Sequence, residues 1–148
     1  MRIVSACLVG FPWNYKGESK TNEYLSEEFK KGKLFPVCPE VLGGQPIPRP
    51  PAEIKYGTGL DVLNSNAKVI NPDGSNVTAE FVKGAFKVLE IARVIGAKEA
   101  ILKARSPSCG CGKIYNGKFS KTLIDGDGVT TALLKKNGIK VYTEENFK

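Results

Sequence analysis

The segment Ser106–Gly112, Ser-Pro-Ser-Cys-Gly-Cys-Gly, constrains the fold of this chain more than any other stretch. It follows the apolar run Ala100–Leu102, which predicts a buried strand. Proline and glycine break regular structure directly after that run, so the backbone has to turn sharply past the end of the strand. In α/β sheets, such turns at the carboxyl ends of strands are where ligands bind. We therefore expect the thiols of Cys109 and Cys111 at a functional edge of a sheet.

Strand-like and helix-like segments alternate along the rest of the chain, and this alternation predicts the fold class. The predicted strands are Ile3–Ala6, Leu34–Val37, Glu99–Lys103 and Ile139–Tyr142. Apolar residues at three- and four-residue steps predict helices that end near Lys31, Ile95 and Lys136. Within the second strand, Pro36 suits an edge position or a strand start. We predict an α/β fold: a single domain over residues 1–148, three-layered and Rossmann-like, with a mostly parallel sheet.

Three further segments are predicted from their turn residues. Lys68–Val77 is predicted to form a small hairpin around the turn at Asn71–Ser75. Lys113–Phe119 is predicted to form another around Asn116-Gly117. The segment Gly43–Pro51 is too rich in proline and glycine for a helix or strand, so we expect an extended functional loop at the surface.

The composition excludes several classes of protein. The chain has no histidine, which excludes Ser-His-Asp and Cys-His catalysis and any histidine-ligated metal. Its net charge of +7 favours an anionic partner such as a phosphate, a nucleotide or a nucleic acid. No apolar run approaches the roughly 20 residues that span a bilayer. The first residues enter a strand pattern without room for a signal peptide, so we expect a cytoplasmic protein without a membrane partner.

The chain contains four cysteines, three of which share a position relative to the predicted strands. Cytosolic thiols stay reduced, so metal binding or catalysis is favoured over disulfides. Cys7, Cys38 and Cys109 each closely follow a strand, and if these strands are parallel neighbours, the three thiols converge at one sheet edge. Such a set suits zinc, with Cys111 as fourth ligand, or an iron–sulfur cluster. Simple burial of the cysteines as apolar residues is the third alternative.

Several motifs resemble those of the thiouracil desulfidase family of small bacterial and archaeal proteins. They occur in the same order along nearly the whole chain: Ser5-Ala6-Cys7-Leu8, Pro36–Gly44, Pro48–Glu53, Ile101–Lys103 leading to Ser106–Gly110, and Ile114–Phe119. The resemblance implies an oxygen-sensitive [4Fe–4S] cluster held by Cys7, Cys38 and Cys109, with one iron not ligated by the protein. It implies removal of sulfur from thiolated uracil compounds without net redox change.

The resemblance also implies roles for other side chains. It points to Glu40 of the Cys-Pro-Glu motif and to Ser106 of the Ser-Pro-Ser-Cys motif as catalytic residues. We expect Glu40 to act as general base on a water that Ser106 orients. Arg49, Lys103 and Ser108 are candidate substrate-binding residues, the first two for a nucleotide phosphate. A cap or ion-pair role for Glu40 and a turn role for the two serines are the structural alternatives.

The implied partner is a thiolated pyrimidine base, nucleoside or nucleotide, and nucleic acid is the second candidate. In one departure from the family pattern, Trp13-Asn14-Tyr15 replaces the Cys-x-Tyr of many relatives, which bears on substrate preference. Two rival functions use the cysteines differently. A zinc-stabilised nucleic-acid-binding module would use all four, whereas a thiol enzyme would use Cys109 as nucleophile and is weakened by the missing histidine.

Overall fold

The computed structural model describes residues 1–148 and contains eight strands and five α-helices. The strands are β1 (Arg2–Ser5), β2 (Leu34–Val37), β3 (Glu53–Lys55), β4 (Lys68–Ile70), β5 (Glu99–Leu102), β6 (Lys113–Tyr115), β7 (Leu123–Asp125) and β8 (Lys140–Thr143). The helices are α1 (Glu23–Lys30), α2 (Pro39–Leu42), α3 (Gly59–Leu63), α4 (Thr78–Ile95) and α5 (Val129–Lys136). None of them is both long enough and apolar enough to cross a membrane.

A four-stranded sheet with the order β2-β1-β5-β8 forms the centre of the molecule. Every neighbouring pair in it is parallel, which confirms the predicted α/β fold with a mostly parallel sheet. The chain passes from β1 to β2 on one side and later to β5 on the other side of β1. The carboxyl end of β1 is therefore a switch point, the place where doubly wound sheets bind ligands.

Alternate side chains of the strands point to opposite faces of this sheet, and each face has its own core. Ile3 of β1 belongs to the larger core, which includes Phe81 and Val88 of α4. The next residue, Val4, belongs to a smaller core with Leu25 of α1. Helices thus pack on both faces, which gives the predicted three layers.

The ends of several elements follow from single residues. Asn22 caps α1, since its side-chain oxygen accepts the backbone N–H of Leu25 at 3.0 Å. Pro36 lies in β2, an edge strand, as its missing N–H predicts. Thr78 is the first residue of α4, and its hydroxyl accepts the backbone N–H of Val69 at 2.9 Å, which ties α4 to β4.

The two predicted hairpins differ from the structure. β4 pairs antiparallel with β3, and the predicted hairpin with Asn76-Val77 is reduced to one bridge between Ile70 and Asn76. β6 does turn back, but its partner β7 begins only at Leu123, so Asn116-Gly117 belongs to a loop over residues 116–122. The sequence pattern predicted neither β3 nor α3.

Candidate active site

A cavity of about 610 Å³ lies at the carboxyl ends of β1, β2 and β5. Most of the side chains predicted to form a site line it, although they come from distant parts of the chain. These lining residues are Cys7, Cys38, Glu40, Arg49, Lys103, Ser106 and Cys109. The topology of the sheet therefore brings the predicted cysteine set together with both predicted catalytic residues.

The three cavity cysteines are free thiols, of which Cys109 is buried and Cys7 and Cys38 are partly buried. Burial raises the pKa of the Cys109 thiol to about 12, and the neighbouring Cys38, Glu40 and Cys7 add to that rise. Burial likewise raises the pKa of Cys7 to about 11, again with a contribution from Cys38. The pKa of Cys38 is raised by burial too. Such thiols ionise readily only when a cation binds them, as a metal cluster does.

Each cysteine is placed by the irregular structure that follows its strand. Cys7 lies in a 3₁₀ turn over Ala6–Leu8, directly after β1. Cys38 is the N-cap residue of α2, where Pro39 occupies the first helical turn with a suitable φ. Cys109 lies in the turn after β5, and its side chain packs within the larger core.

The turn that carries Cys109 is fixed by hydrogen bonds on both sides. Within the turn, the Ser106 hydroxyl accepts the backbone N–H groups of Ser108 at 3.2 Å and Cys109 at 2.6 Å. From α5, the Thr131 hydroxyl donates to the Cys109 carbonyl at 2.8 Å. The N–H of Val129 donates to the Pro107 carbonyl at 2.8 Å. The first turn of α5 therefore holds the backbone of the cysteine turn in place.

Ser5, which was not predicted as a site residue, links the carboxyl ends of β1 and β5 at the cavity. Its buried hydroxyl accepts the backbone N–H of Lys103 at 2.9 Å and lies 3.7 Å from the Cys109 sulfur, to which it donates. This link depends on β1 and β5 being neighbours in the sheet. The only sequence signal for Ser5 was its place in the Ser-Ala-Cys-Leu motif beside Cys7.

Glu40 and Arg49 form a nearly buried ion pair against the cavity. Arg49 Nε donates to Glu40 Oε1 at 3.2 Å, and the side chains are 2% and 17% exposed respectively. Burial raises the pKa of Glu40, and Arg49 opposes that rise. The same guanidinium donates to the carbonyls of Pro46 at 3.2 Å and Trp13 at 3.0 Å. The loop Gly43–Pro51 is irregular as predicted, but Arg49 turns inward and donates to the carboxylate and to these two carbonyls, which argues against the predicted contact of Arg49 with a nucleotide phosphate.

The mouth of the cavity is basic. Lys20, Lys103, Arg105 and Lys121 all line it. Lys103 Nζ lies 2.7 Å from Glu144 Oε2, and Arg105 is also paired with a C-terminal glutamate. Lys20 and Lys121 take part in none of the ion pairs of the structure. An anionic group of a ligand would meet positive charge at this entrance.

Two predicted candidates do not line the cavity. Ser108 is fully buried and its hydroxyl shares a 2.9 Å hydrogen bond with Thr130, which argues against the predicted contact with substrate. Cys111 points elsewhere, since its thiol donates to the Val141 carbonyl at 3.5 Å. A zinc site built from all four cysteines is therefore not favoured by this arrangement.

The chemistry of the donor set on the cavity suits an iron–sulfur cluster, because soft thiolates are the ligands that hold iron in such clusters. The irons of a [4Fe–4S] cluster occupy separate corners, so its thiolate ligands stand further apart than those of one ion. The donor set of Cys7, Cys38 and Cys109 on one buried cavity is consistent with such a cluster.

Trp13, Asn14 and Tyr15 divide between aromatic packing and the cavity. The Trp13 ring packs on Phe11, with ring centroids 4.7 Å apart, and the Trp13 carbonyl accepts from Arg49 and from the Cys38 thiol. Asn14 and Tyr15 line the cavity. Trp13 thus contributes its backbone to the site and its side chain to aromatic packing.

Two of the comparisons with known proteins name the same activity, and the third matches an uncharacterized protein. The family model described as 2-thiouracil desulfurase matches residues 3–146. The chain is 47% identical over 147 residues to the uncharacterized protein YbbK of Bacillus subtilis (strain 168), covering 99% of this chain and 97% of that protein. The solved structure of the [4Fe-4S]-dependent thiouracil desulfidase TudS superposes with a TM-score of 0.87 at 43% identity, covering 99% of this chain and 91% of TudS. With a family model spanning nearly its whole length, this chain belongs to the 2-thiouracil desulfurase family.

Proposed function

We propose that this chain is a [4Fe–4S]-dependent desulfidase that hydrolyses the C=S bond of a thiolated uracil compound without net redox change. The observation that carries the proposal is the convergence of Cys7, Cys38 and Cys109 on one buried cavity in a chain of this family. These residues would hold the cluster and leave one iron without a protein ligand. When bound, the cluster would supply a Lewis-acidic iron that polarises the C=S bond.

Glu40 is the proposed general base. Its carboxylate takes a proton from water as the water oxygen bonds to the thiocarbonyl carbon. The C–S bond then breaks, the oxygen remains on carbon as the new carbonyl, and the two protons of water leave with the sulfide. Burial raises the pKa of Glu40, which suits a base that works near neutral pH. Arg49 holds Oε1 of this carboxylate, and Oε2 remains for the water.

Ser106 is the proposed partner of that water. Its oxygen accepts hydrogen bonds from two backbone N–H groups. Its own O–H proton is not used in these two hydrogen bonds and is available to donate to a ligand. The basic mouth supports binding of a nucleotide phosphate in addition to the free base, through Lys20 and Lys121 in the first place, because Lys103 is paired with Glu144. A small thiolated pyrimidine is thus the proposed partner, and nucleic acid is not required.

The two rival functions have less support. A four-thiolate zinc module would need Cys111 at the cavity, and its thiol faces the Val141 carbonyl instead. A nucleophilic thiol needs a lowered pKa and access to solvent, whereas Cys109 is buried and its pKa is raised to about 12.

Anaerobic reconstitution with iron and sulfide tests the proposal. We expect a brown protein with about four irons per chain, which converts thiouracil to uracil and sulfide. Alanine in place of Cys7, Cys38 or Cys109 removes the cluster and the activity. Cys111→Ala is the matched control and retains both. A colourless protein holding one zinc ion, or a loaded protein inert toward thiouracil and its nucleotide, contradicts the proposed function.

A further inference from the structure

Glu53 is a second buried carboxylate on the cavity, and the mechanism above does not use it. It begins β3, is 8% exposed and lines the cavity. No cation compensates it, because none of the ion pairs of the structure includes Glu53. A buried acidic side chain without a cationic partner is costly unless hydrogen bonds satisfy its oxygens.

One oxygen of Glu53 is satisfied by the loop over residues 116–122. Glu53 Oε1 accepts the backbone N–H of Gly117 at 2.9 Å and that of Phe119 at 3.2 Å. This contact joins two of the motifs of the sequence, Pro48–Glu53 and Ile114–Phe119. Glycine is required at position 117, since a Cβ there would lie 2.4 Å from the Ile54 carbonyl oxygen and φ is +86°.

The anchored loop forms part of the cavity wall. Phe119 and Lys121 line the cavity, and both have positive φ values, +54° and +60°. Non-glycine residues adopt this conformation only where surrounding contacts hold them. The Glu53 carboxylate supplies such a contact, so the position of the Phe119 ring and the Lys121 ammonium depends on it.

The second oxygen of Glu53 remains open. Oε2 makes no hydrogen bond within the protein, and it is not among the buried side-chain atoms that lack a partner. It therefore retains access to the cavity that Glu53 lines. An acceptor fixed in this way is suited to an N–H or O–H donor of a bound ligand.

We infer that Glu53 is a specificity-determining residue with one task for each oxygen. Oε1 holds the 116–122 loop against the cavity, and Oε2 accepts a hydrogen bond from the bound substrate. The donor is a ring N–H of the pyrimidine or a hydroxyl of an attached ribose. The substrate half of this inference rests on the proposed function, whereas the loop half does not.

Glu53→Gln separates the two tasks. The amide oxygen of glutamine still accepts the loop N–H groups, whereas its NH₂ replaces the cavity-facing acceptor by a donor. Glu53→Ala removes both contacts. Glu90→Gln is the matched control, because Glu90 is an exposed residue of α4 outside every ion pair.

Hydrogen–deuterium exchange of the cluster-loaded protein measures the contact between Glu53 and the 116–122 loop independently of activity. We expect faster exchange of the peptide that contains Gly117 and Phe119 in Glu53→Ala, and wild-type exchange in Glu53→Gln and Glu90→Gln. Unchanged exchange in Glu53→Ala overturns the loop half of the inference.

Calorimetric binding and steady-state kinetics with a thiouracil base and its ribonucleoside read the substrate contact. In Glu53→Gln we expect binding weakened and KM raised about 10- to 100-fold, with kcat less affected. An effect on both ligands assigns the donor to the ring, and an effect on the nucleoside alone assigns it to the ribose. Wild-type binding of both overturns the substrate half. If the wild-type protein itself binds and converts neither compound, the proposed function fails and the substrate half fails with it.

Discussion

Glu40 has two carboxylate oxygens in different environments, and this difference makes its proposed role testable. In Glu40→Gln the amide oxygen still accepts from Arg49, but the side chain can no longer take a proton from water. We expect kcat to fall by about 10²- to 10⁴-fold while the cluster absorbance is retained. Turnover under anaerobic conditions and the visible spectrum of the same sample check this expectation.

The control for that substitution is again Glu90→Gln, which should have wild-type kcat. Wild-type turnover in Glu40→Gln would remove Glu40 from the mechanism. Loss of the cluster in Glu40→Gln would instead assign the carboxylate to holding Cys38, which it follows closely in the first turn of α2.

At the scale of single residues, the cysteines and Glu40 that line the cavity were named from the sequence, but their supporting contacts were not. Three cysteines that each follow a predicted strand can be recognised in the sequence. Parallel strands place such positions together at one edge of the sheet. Ser5 and Glu53 are not visible in this way, since their partners Lys103 and Gly117 are remote in sequence. Ser108 was predicted as a substrate-binding residue from its place next to Cys109 in the motif, but its hydroxyl hydrogen-bonds to Thr130 in the interior.

At the scale of the elements, the packing of α2 against α4 positions Cys38, one of the three cavity cysteines. The two helices meet through glycine: a Cβ at Gly84 of α4 would lie 1.9 Å from the Pro39 carbonyl oxygen. A Cβ at Gly43, just after α2, would lie 2.0 Å from the Glu80 carbonyl oxygen. Backbone therefore packs directly on backbone, and a side chain at either glycine would displace α2, which Cys38 precedes as the N-cap residue.

Gly84→Ala tests whether this close packing of α2 on α4 matters for stability. Helix propensity alone would predict the opposite direction of the change in stability. In an ordinary helix interior this substitution stabilises by about 1 kcal/mol. Here we expect destabilisation by about 1–3 kcal/mol, together with reduced iron content, because α2 has to move away from α4. Chemical unfolding and iron analysis provide the measurements.

Lys83→Ala, at the exposed neighbouring position of α4, is the matched control and should leave both quantities unchanged. A Gly84→Ala protein as stable as wild type, with full iron content, would show that α2 tolerates the displacement.

Helices and strands were predictable where the apolar pattern was long or was bounded by clear turn residues. The stripe of α4 and the runs of β1, β2, β5 and β8 match the structure closely. β3 and α3 were missed because each is short and follows proline or glycine, which predict irregular chain. The extent of the β6–β7 loop was missed because Glu53, outside the hairpin, holds it open.

At the scale of the whole molecule, the three proposed cluster ligands follow β1, β2 and β5 and lie at the switch point of the sheet. A cofactor that binds only the folded chain stabilises it by mass action. We expect the cluster-loaded protein to melt roughly 10 °C above the cluster-free protein. Anaerobic thermal unfolding, followed by circular dichroism, measures the difference.

Cys111→Ala should show the same difference between its loaded and cluster-free forms, because Cys111 lies away from the cavity. Equal melting temperatures of the loaded and cluster-free wild-type protein would mean that the cluster does not connect the three strands. A cysteine-to-alanine variant of the cavity set should melt near the cluster-free value whether or not iron and sulfide are supplied.

The strand order also sets a sequence of events during synthesis. The ribosome delivers Cys7 and Cys38 early, but Cys109, the third proposed ligand, lies beyond β5, which inserts beside β1 only after α4 has been made. Iron uptake followed against chain length in cell-free translation should therefore begin only after the Cys109 turn has left the ribosome. The proposed cluster would therefore enter a nearly finished fold, and the mouth of the cavity would be its route in.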